Sequence, residues 1–160
     1  MKALIVYWTK TGHTRRAAQD VAAGLAQTGS EVTLVDLRQN PAPDVGSYDI
    51  VVVGSPCHAG SIKFAGSGIA RPVETFLRRL PPESLLGKRA GAYSLQSGLG
   101  AARTVGSVER LLADAGAEVV SPGPVVTAGV AFSLWEGPRA SEADRERLRE
   151  FGRMLGAPNR

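Results

Sequence analysis

The chain has 160 residues, of which 43% are hydrophobic and 21% charged, and it carries a single cysteine. This composition is typical of a globular chain, so we expect one domain over residues 1–160, no internal disulfide and a cytoplasmic location without a signal peptide. No apolar run approaches the ~20 residues that span a bilayer. The net charge is +4, and its basic residues are scattered as pairs: Arg15 and Arg16, Arg78 and Arg79, Lys88 and Arg89. This pattern favours solvated helix faces over a nucleic-acid surface and leaves open an anionic ligand or an acidic protein partner.

Apolar strands alternate with amphipathic helical segments along the chain. The first predicted strand, residues 2–8, is apolar at consecutive positions, as in a strand buried on both faces of a parallel sheet. Further strands are predicted over 31–37, 49–53, 89–95 and, as an interrupted fifth strand, over 117–120 and 125–130. Helices are predicted over about 13–28, from Pro72 to Pro81, over 101–115 and after a capping Ser141. The pattern predicts an α/β fold with a parallel sheet and helices on both faces.

The loop after the first strand has the composition of an anion site. It contains one glycine, three threonines and no acid in the run Thr9, Lys10, Thr11, Gly12, His13, Thr14. The backbone N–H groups at the start of a helix lack intrahelical partners, and the helix dipole favours negative charge there. We therefore expect this loop to bind a phosphate. The His13 side chain is expected to be exposed.

Two further loops follow strands three and four, over 55–61 and 95–100. In a parallel sheet of order 2-1-3-4-5, strands one, three and four are neighbours, so their loops meet at one edge. A single ligand could then contact all three loops, with its phosphate on the first and its flat body between the other two.

Other anion-binding motifs do not match. A P-loop is absent, and the partial dinucleotide fingerprint at Gly98 and Gly100 has Arg103 in place of its third glycine. A cysteine phosphatase would need an arginine where Lys63 follows Cys57. A receiver domain would need an aspartate at the end of strand three and acids after strand one, and neither is present.

The segment Tyr7-x-Thr9-x-Thr11-Gly12-x-Thr14 resembles the signature with which flavodoxins bind the phosphate of FMN. The runs 54–60 and 94–100 are similar to the second and third flavin loops of that family. The likeness covers essentially the whole chain, and the absence of a long insertion in strand five resembles the short-chain type. The resemblance implies a flavodoxin-like three-layer sandwich with a five-stranded sheet of order 2-1-3-4-5, and FMN as the cofactor.

The resemblance also implies roles for individual residues. The hydroxyls of Thr9, Thr11 and Thr14 and the N–H groups of Lys10, Gly12 and His13 would hold the phosphate. The second loop would lie along the inner edge of the flavin ring, with the Ala59–Gly60 peptide turning its carbonyl towards N5. The third would meet the pyrimidine end of the ring. The implied ring-binding residues are Ser55, Pro56, Cys57, His58, Ala59, Gly60, Ser94, Leu95, Gln96 and Gly98.

Two departures from the family pattern concern the flavin ring. Flavodoxins usually stack aromatic side chains on the ring, whereas these loops offer only His58, so Trp8 and Trp135 are further candidates to cover it. Flavodoxins are also usually acidic around the flavin, and this chain is basic. Because acidic and apolar surroundings disfavour the anionic, fully reduced flavin, we expect a less negative potential for the second electron than is usual in the family.

Three functions are compatible with the sequence. We favour an FMN-binding carrier that shuttles electrons between a reductase and an acceptor, and this function needs no catalytic side chain. The alternatives are an FMN-dependent oxidoreductase acting on a quinone-like substrate with NAD(P)H or a quinol, and a flavin-free binding module.

Two further expectations concern single residues and a segment. Cys57 is expected to be a small buried residue, and no metal-ligand spacing is present. The glycine-rich segment 63–70 is either a lid or an insertion.

Overall fold

A computed structural model describes residues 1–57, 68–96, 100–129 and 139–158 of the chain. Its elements alternate in the predicted order. The strands are β1 (Lys2–Tyr7), β2 (Glu31–Asp36), β3 (Ile50–Pro56), β4 (Arg89–Gln96), β5 (Glu118–Val119) and β6 (Val125–Thr127). The helices are α1 (His13–Gln27), α2 (Arg71–Arg78), α3 (Ala101–Asp114) and α4 (Glu142–Gly156). As predicted, the connection from β2 to β3 contains no helix.

The sheet is parallel throughout and confirms the predicted order. The strands lie side by side in the spatial order β2, β1, β3, β4, and the fifth position of the sheet is shared by β5 and β6. The predicted interruption of the fifth strand is confirmed, because β5 pairs with the start of β4 and β6 pairs with its end. A Cβ atom at Gly123, between them, would overlap the carbonyl of Ala92, so only glycine fits this crossing.

Helices cover both faces of the sheet, as predicted. The helices α1 and α4 pack on one face, where Val21, Leu25 and Phe151 are almost fully buried. The helices α2 and α3 pack on the other face over a second cluster that includes Val73 and Val108. Because β1 contributes side chains to both clusters, its continuous apolar run is explained by burial on two sides.

The contact between α1 and α4 depends on two glycines. A Cβ atom at Gly24 would overlap the backbone of Arg149, and one at Gly152 would overlap the carbonyl of Val21. The two backbones therefore touch directly. The buried carboxylate of Asp20 forms ion pairs with Arg145 at 3.2 Å and with Arg149 at 3.3 Å, which ties the middle of α1 to the first half of α4.

The two central strands run further than predicted. The strand β3 continues through Ser55 to Pro56 rather than ending at residue 53, and β4 includes Gln96. The reason is that the parallel ladder between them extends to the pair Pro56–Leu95, after which Cys57 N–H donates to Leu95 O at 2.8 Å. Among the described residues, no helix is long and apolar enough to cross a membrane.

Candidate functional site

The ends of β1, β3 and β4 bring the three predicted loops to one edge of the sheet. Tyr7 pairs with Gly54 on the neighbouring strand, and Ser55 pairs with Ser94 on the next. The first loop therefore lies beside the second, and the second beside the third. Of the predicted ring-binding residues, the structure describes those before residue 58 and the three in β4. His58, Ala59, Gly60, Gly98, most of segment 63–70 and Trp135 lie outside the described residues.

The first loop is shaped by its own hydrogen bonds. Gly12 adopts a left-handed conformation, with φ of +92°, immediately before α1. Its N–H donates to Thr9 Oγ1 at 2.9 Å, so the buried Thr9 braces the loop from within. Thr14 is also buried, Thr11 is half-buried and Lys10 is exposed. The first turn of α1 contains no acidic residue, which leaves the positive end of the helix dipole facing the loop.

Arg15 and Arg16, for which the sequence predicts a solvated helix face, border this loop. A Cβ atom at Gly12 would lie 3.6 Å from the guanidinium of Arg15 and 3.8 Å from that of Arg16. Two guanidinium groups beside a helix N-terminus are suited to bind a phosphate, since they add charge and donors to the free N–H groups. The sequence signal was their position in the first turn of the helix after the threonine loop.

Tyr93 supports the first loop from below. Its fully buried hydroxyl donates to Thr14 O at 3.1 Å, which joins β4 to the first turn of α1. Its ring occupies the space that a side chain at Gly54 would need. Burial raises the pKa of Tyr93 well above its usual value, and the neighbouring Tyr7 and Asp36 raise it further, so the hydroxyl stays protonated and able to donate. Tyr93 thus belongs to the buried cluster on the α1–α4 face of the sheet.

Two serines join the second and third loops where they leave the sheet. Ser94 Oγ donates to Ser55 O at 2.8 Å. Ser55 Oγ donates to Pro56 O and accepts the N–H of Ala70, both at 2.9 Å. Gln96 Oε1 accepts the N–H of Ala101 at 3.2 Å, at the start of α3. The bases of these loops are thus held by side chains that are predicted for the ring site.

The remaining candidate site residues differ in how deeply they are buried. His13 is buried rather than exposed, because its ring packs into a cavity between α1 and α4. Burial lowers the pKa of His13, and the nearby cations Arg16 and Arg139 lower it further. Cys57 is half-buried, and Trp8 packs against the cluster on the α2–α3 face. The described residues contain no group of side chains that would hold a metal ion.

The residues of this edge fit FMN. Three features suit a dianionic phosphate: a loop shaped by a left-handed glycine, a helix N-terminus without acids, and two arginines. The loops that follow β3 and β4 lie beside this first loop. No aromatic side chain of a described residue in the second or third loop is available to stack on the ring.

Comparison with known proteins agrees with this geometry. The family model described as flavodoxin matches residues 5–145. A flavodoxin of Megasphaera elsdenii is 31% identical over 116 residues, covering 72% of this chain and 80% of the relative. A flavodoxin of Aquifex aeolicus (strain VF5) is 32% identical over 163 residues, covering 96% and 84%.

Solved structures share the fold. Oxidised flavodoxin 1 from Bacillus cereus superposes with a TM-score of 0.76 at 19% identity, covering 97% of each chain. A Streptococcus pneumoniae flavodoxin superposes with a TM-score of 0.73 at 24% identity, again covering 97% of each chain. The chain therefore belongs to the flavodoxin family, the FMN-binding electron-transfer proteins.

Proposed function

We propose that this flavodoxin carries electrons between a reductase and an acceptor protein, with the phosphate of FMN bound on residues 9–14. The observation that carries the proposal is the start of α1, where a left-handed Gly12 and a first turn without acids are bordered by Arg15 and Arg16. The N–H groups of this loop and the two guanidinium groups bind and orient the phosphate. FMN supplies the redox chemistry, so no catalytic side chain is required.

The flavin ring is proposed to lie between the second and third loops. The contacts of Ser55 with Ser94 and with Ala70 hold the bases of these loops at fixed separation. Two loops held at a fixed separation are suited to bind a flat ring. The ring can displace water from between them, and the loops need not reorganise when it binds. Within this proposal Ser55, Pro56 and Cys57 border one side of the ring, and Leu95 and Gln96 the other.

A basic rim around this edge is suited to acidic redox partners. Five exposed cations lie in the first loop, in the first turns of α1 and α3, or close to them: Lys10, Arg15, Arg38, Arg103 and Arg139. Arg38 Nη1 donates to the backbone carbonyl of Lys10 at 3.3 Å, which holds the Arg38 guanidinium against the first loop. Complementary charge increases the rate of association more than it increases affinity. We therefore propose that the partners present carboxylates and that electron transfer slows as ionic strength rises.

The same basic surroundings affect the cofactor's potential. Cations near the flavin lower the Coulomb cost of the negative charge that full reduction creates. We propose a less negative potential for the second electron than in flavodoxins whose flavin lies among acids. Potentiometric titration at low ionic strength measures it, and a very low second potential would contradict this part of the proposal.

The binding experiment tests the phosphate site directly. FMN added to the FMN-free protein should bind with 1:1 stoichiometry, quenching flavin fluorescence, and Arg15→Gln should weaken binding about fivefold. The matched control is Arg110→Gln, which removes an exposed charge from α3 on the opposite face of the sheet. Equal affinities for the two variants would overturn the role of Arg15.

A second assay separates the carrier from a quinone oxidoreductase. The carrier should consume NAD(P)H only when a separate reductase is added. Steady turnover of NAD(P)H with a quinone and no reductase would favour the enzyme instead. The proposal treats residues 1–160 as one domain and places the protein in the cytoplasm, where the reduced state of a lone Cys57 would be maintained.

A further inference from the structure

The turn that follows β2 is a fourth loop at the edge of the sheet where the first loop lies. Tyr7 and Asp36 are paired at the ends of β1 and β2, and the N–H of Leu37 donates to Tyr7 O at 2.8 Å. This turn, residues 36–40, therefore starts directly beside the first loop. It belongs neither to the proposed phosphate loop nor to the two proposed ring loops.

One buried residue holds the turn in a fixed shape. Asp36 is 5% exposed, and its Oδ1 accepts the N–H of Arg38 at 3.0 Å, which is an Asx turn. Its backbone carbonyl accepts the N–H groups of Gln39 at 3.0 Å and of Asn40 at 2.9 Å. The side chain of Arg38 is exposed, but it starts from a backbone position that these hydrogen bonds fix.

The Arg38 side chain crosses from this turn to the first loop. Its Nη1 donates to the backbone carbonyl of Lys10 at 3.3 Å. A hydrogen bond from a guanidinium group is charge-assisted and stronger than one between neutral groups. Within the loop itself, Thr9 Oγ1 accepts the N–H of Gly12 at 2.9 Å. The loop is therefore held at two places, and Thr11 lies between them in sequence.

The contact with Arg38 fixes the direction of one N–H group in the loop. The Lys10–Thr11 peptide is trans, so its N–H points in the opposite direction to its C=O. Because Arg38 binds the C=O, the N–H of Thr11 points away from the guanidinium group. In the part of the chain that the structure describes, no group accepts this N–H. It is therefore available to a ligand in the loop.

The charge on Arg38 also strengthens this donor. Hydrogen bonds in a chain polarise one another, so a donor on a peptide carbonyl makes the N–H of the same peptide a better donor. Such a chain runs from the guanidinium group through the Lys10–Thr11 peptide to an anion in the loop. Since Arg38 acts through this peptide, it need not touch the anion itself.

From these contacts we propose that Arg38 is a positioning residue for the phosphate of FMN. It holds the Lys10–Thr11 peptide so that the N–H of Thr11 donates to a phosphate oxygen. This inference rests on the proposed binding of that phosphate at residues 9–14. It adds the turn after β2 to the site, because the hydrogen bonds of Asp36 direct Arg38 towards the first loop.

The test is titration of the FMN-free protein with FMN at low salt and at about 1 M salt, where charges more than about 3 Å apart are screened. Arg38→Gln loses one charge-assisted hydrogen bond, so flavin fluorescence should show binding weakened about fivefold. The matched control is Lys10→Gln, which removes a charge from the same loop and leaves the backbone carbonyl that Arg38 binds. At high salt the loss in Arg38→Gln should persist, whereas any loss in Lys10→Gln should largely disappear.

Two further measurements separate positioning from a general effect on the fold. Addition of FMN should shift the amide proton of Thr11 strongly downfield in the native protein and less in Arg38→Gln. The urea midpoint of the FMN-free protein should be nearly the same for both, because the Arg38 side chain is exposed.

Four results would overturn the inference. They are native FMN affinity in Arg38→Gln, a loss of affinity that disappears at high salt as in Lys10→Gln, an unchanged shift of the Thr11 amide, and a drop in the urea midpoint large enough to explain the weaker binding. Failure of the native protein to bind FMN would contradict the proposed function instead, and the same titration would reveal it.

Discussion

The helices α1 and α4 pack side by side on one face of the sheet and begin at the same edge, yet their N-termini are opposite in chemistry. At α4, Ser141 Oγ accepts the N–H of Asp144 at 3.1 Å, and Glu142 and Asp144 place carboxylates in the first turn. At α1, a glycine with φ of +92° occupies the capping position and the first turn carries arginines.

The difference separates a helix that stabilises itself from one that is suited to a ligand. At α4 the free N–H groups and the dipole are satisfied by the helix's own residues. At α1 the corresponding groups face the loop where we propose the phosphate. Changes at α1 should therefore act mainly on FMN affinity, and changes at α4 mainly on the stability of the fold.

The largest effect is expected from giving α1 the acidic character of α4. Thr11→Asp places a carboxylate in the first loop, where it would repel the phosphate dianion. We expect FMN affinity to fall about 100-fold, equivalent to ~2.7 kcal/mol, while the free energy of unfolding without FMN changes by less than about 1 kcal/mol. Flavin fluorescence titration and urea denaturation measure the two quantities. Thr11→Ser is the control, and an affinity within threefold of the native value would contradict the phosphate site.

A smaller effect is expected from the backbone at the start of α1. Gly12→Ala must adopt a positive φ, which costs an L-residue about 1–2 kcal/mol. We expect roughly this loss of stability and about tenfold weaker FMN binding, because the loop N–H groups move.

The chain provides a matched control in Gly29, which has φ of +80° after α1 and no atom near its Cβ position. Gly29→Ala should cost similar stability and leave FMN affinity unchanged. If both variants weaken FMN binding equally, the loop geometry is not the cause.

Removing the Tyr93 hydroxyl, which supports the first loop, should weaken FMN binding less than Gly12→Ala does. Tyr93→Phe deletes the buried hydrogen bond to Thr14 O, so we expect about 1 kcal/mol lower unfolding free energy and FMN binding weakened about threefold. Tyr48→Phe, on the other face, is the control for loss of a hydroxyl. Chemical denaturation measures the stability of the two variants, and flavin fluorescence measures their FMN affinity. Unchanged FMN affinity in Tyr93→Phe would exclude the supporting role of this hydroxyl.

The corresponding change at α4 should affect stability alone. Ser141→Ala removes the cap and should lower the free energy of unfolding by about 1 kcal/mol. Ser141→Asp should retain most of that stability, because aspartate also accepts the N–H of Asp144. Neither variant should alter FMN affinity, and a clear loss of affinity would mean that the two N-termini are coupled.

The smallest effect concerns the pH dependence of the FMN-free protein. Because the pKa of His13 is lowered in the folded state, the unfolded chain binds more protons as pH falls. Stability should therefore decline as pH drops from about 7.5 through the unfolded pKa of about 6.5, down to the lower folded pKa. His13→Gln should flatten this slope in denaturation curves. NMR titration of the His13 ring should show the lowered pKa, and an ordinary value would contradict the prediction.

The sequence predicted the order of the elements, the split fifth strand and the start of α1 directly after the threonine-rich loop. These features follow from local patterns: apolar runs, the prolines at 122 and 124, and threonines before a helix. The end of β3 could not be predicted, because Gly54 and Pro56 are typical of turns. Gly54 is retained in the strand because Tyr93, 39 residues later, fills the space beside it.

The positions of several charged side chains could not be predicted from the sequence either. Arg15 and Arg16 looked like a solvated pair, and His13 like an exposed residue. Their positions depend on which side of α1 faces the sheet edge and on where Arg139 lies relative to that helix. Both are tertiary properties, since they bring together residues more than 100 positions apart. A helical-wheel comparison of His13, Arg16 and Asp20 would have placed them on one side, though not facing a cavity.

The backbone contact between α1 and α4 has a consequence for evolution and engineering of the cofactor site. Since Gly24 and Gly152 leave no gap between the helices, even one added methyl group at either position must push α1 along or away from the sheet. The first loop leads directly into the N-terminus of α1, and Gly12 in that loop is twelve residues from Gly24 in the same helix. Random mutagenesis selected for altered FMN retention should therefore recover substitutions at these two glycines, far from any atom that touches the cofactor.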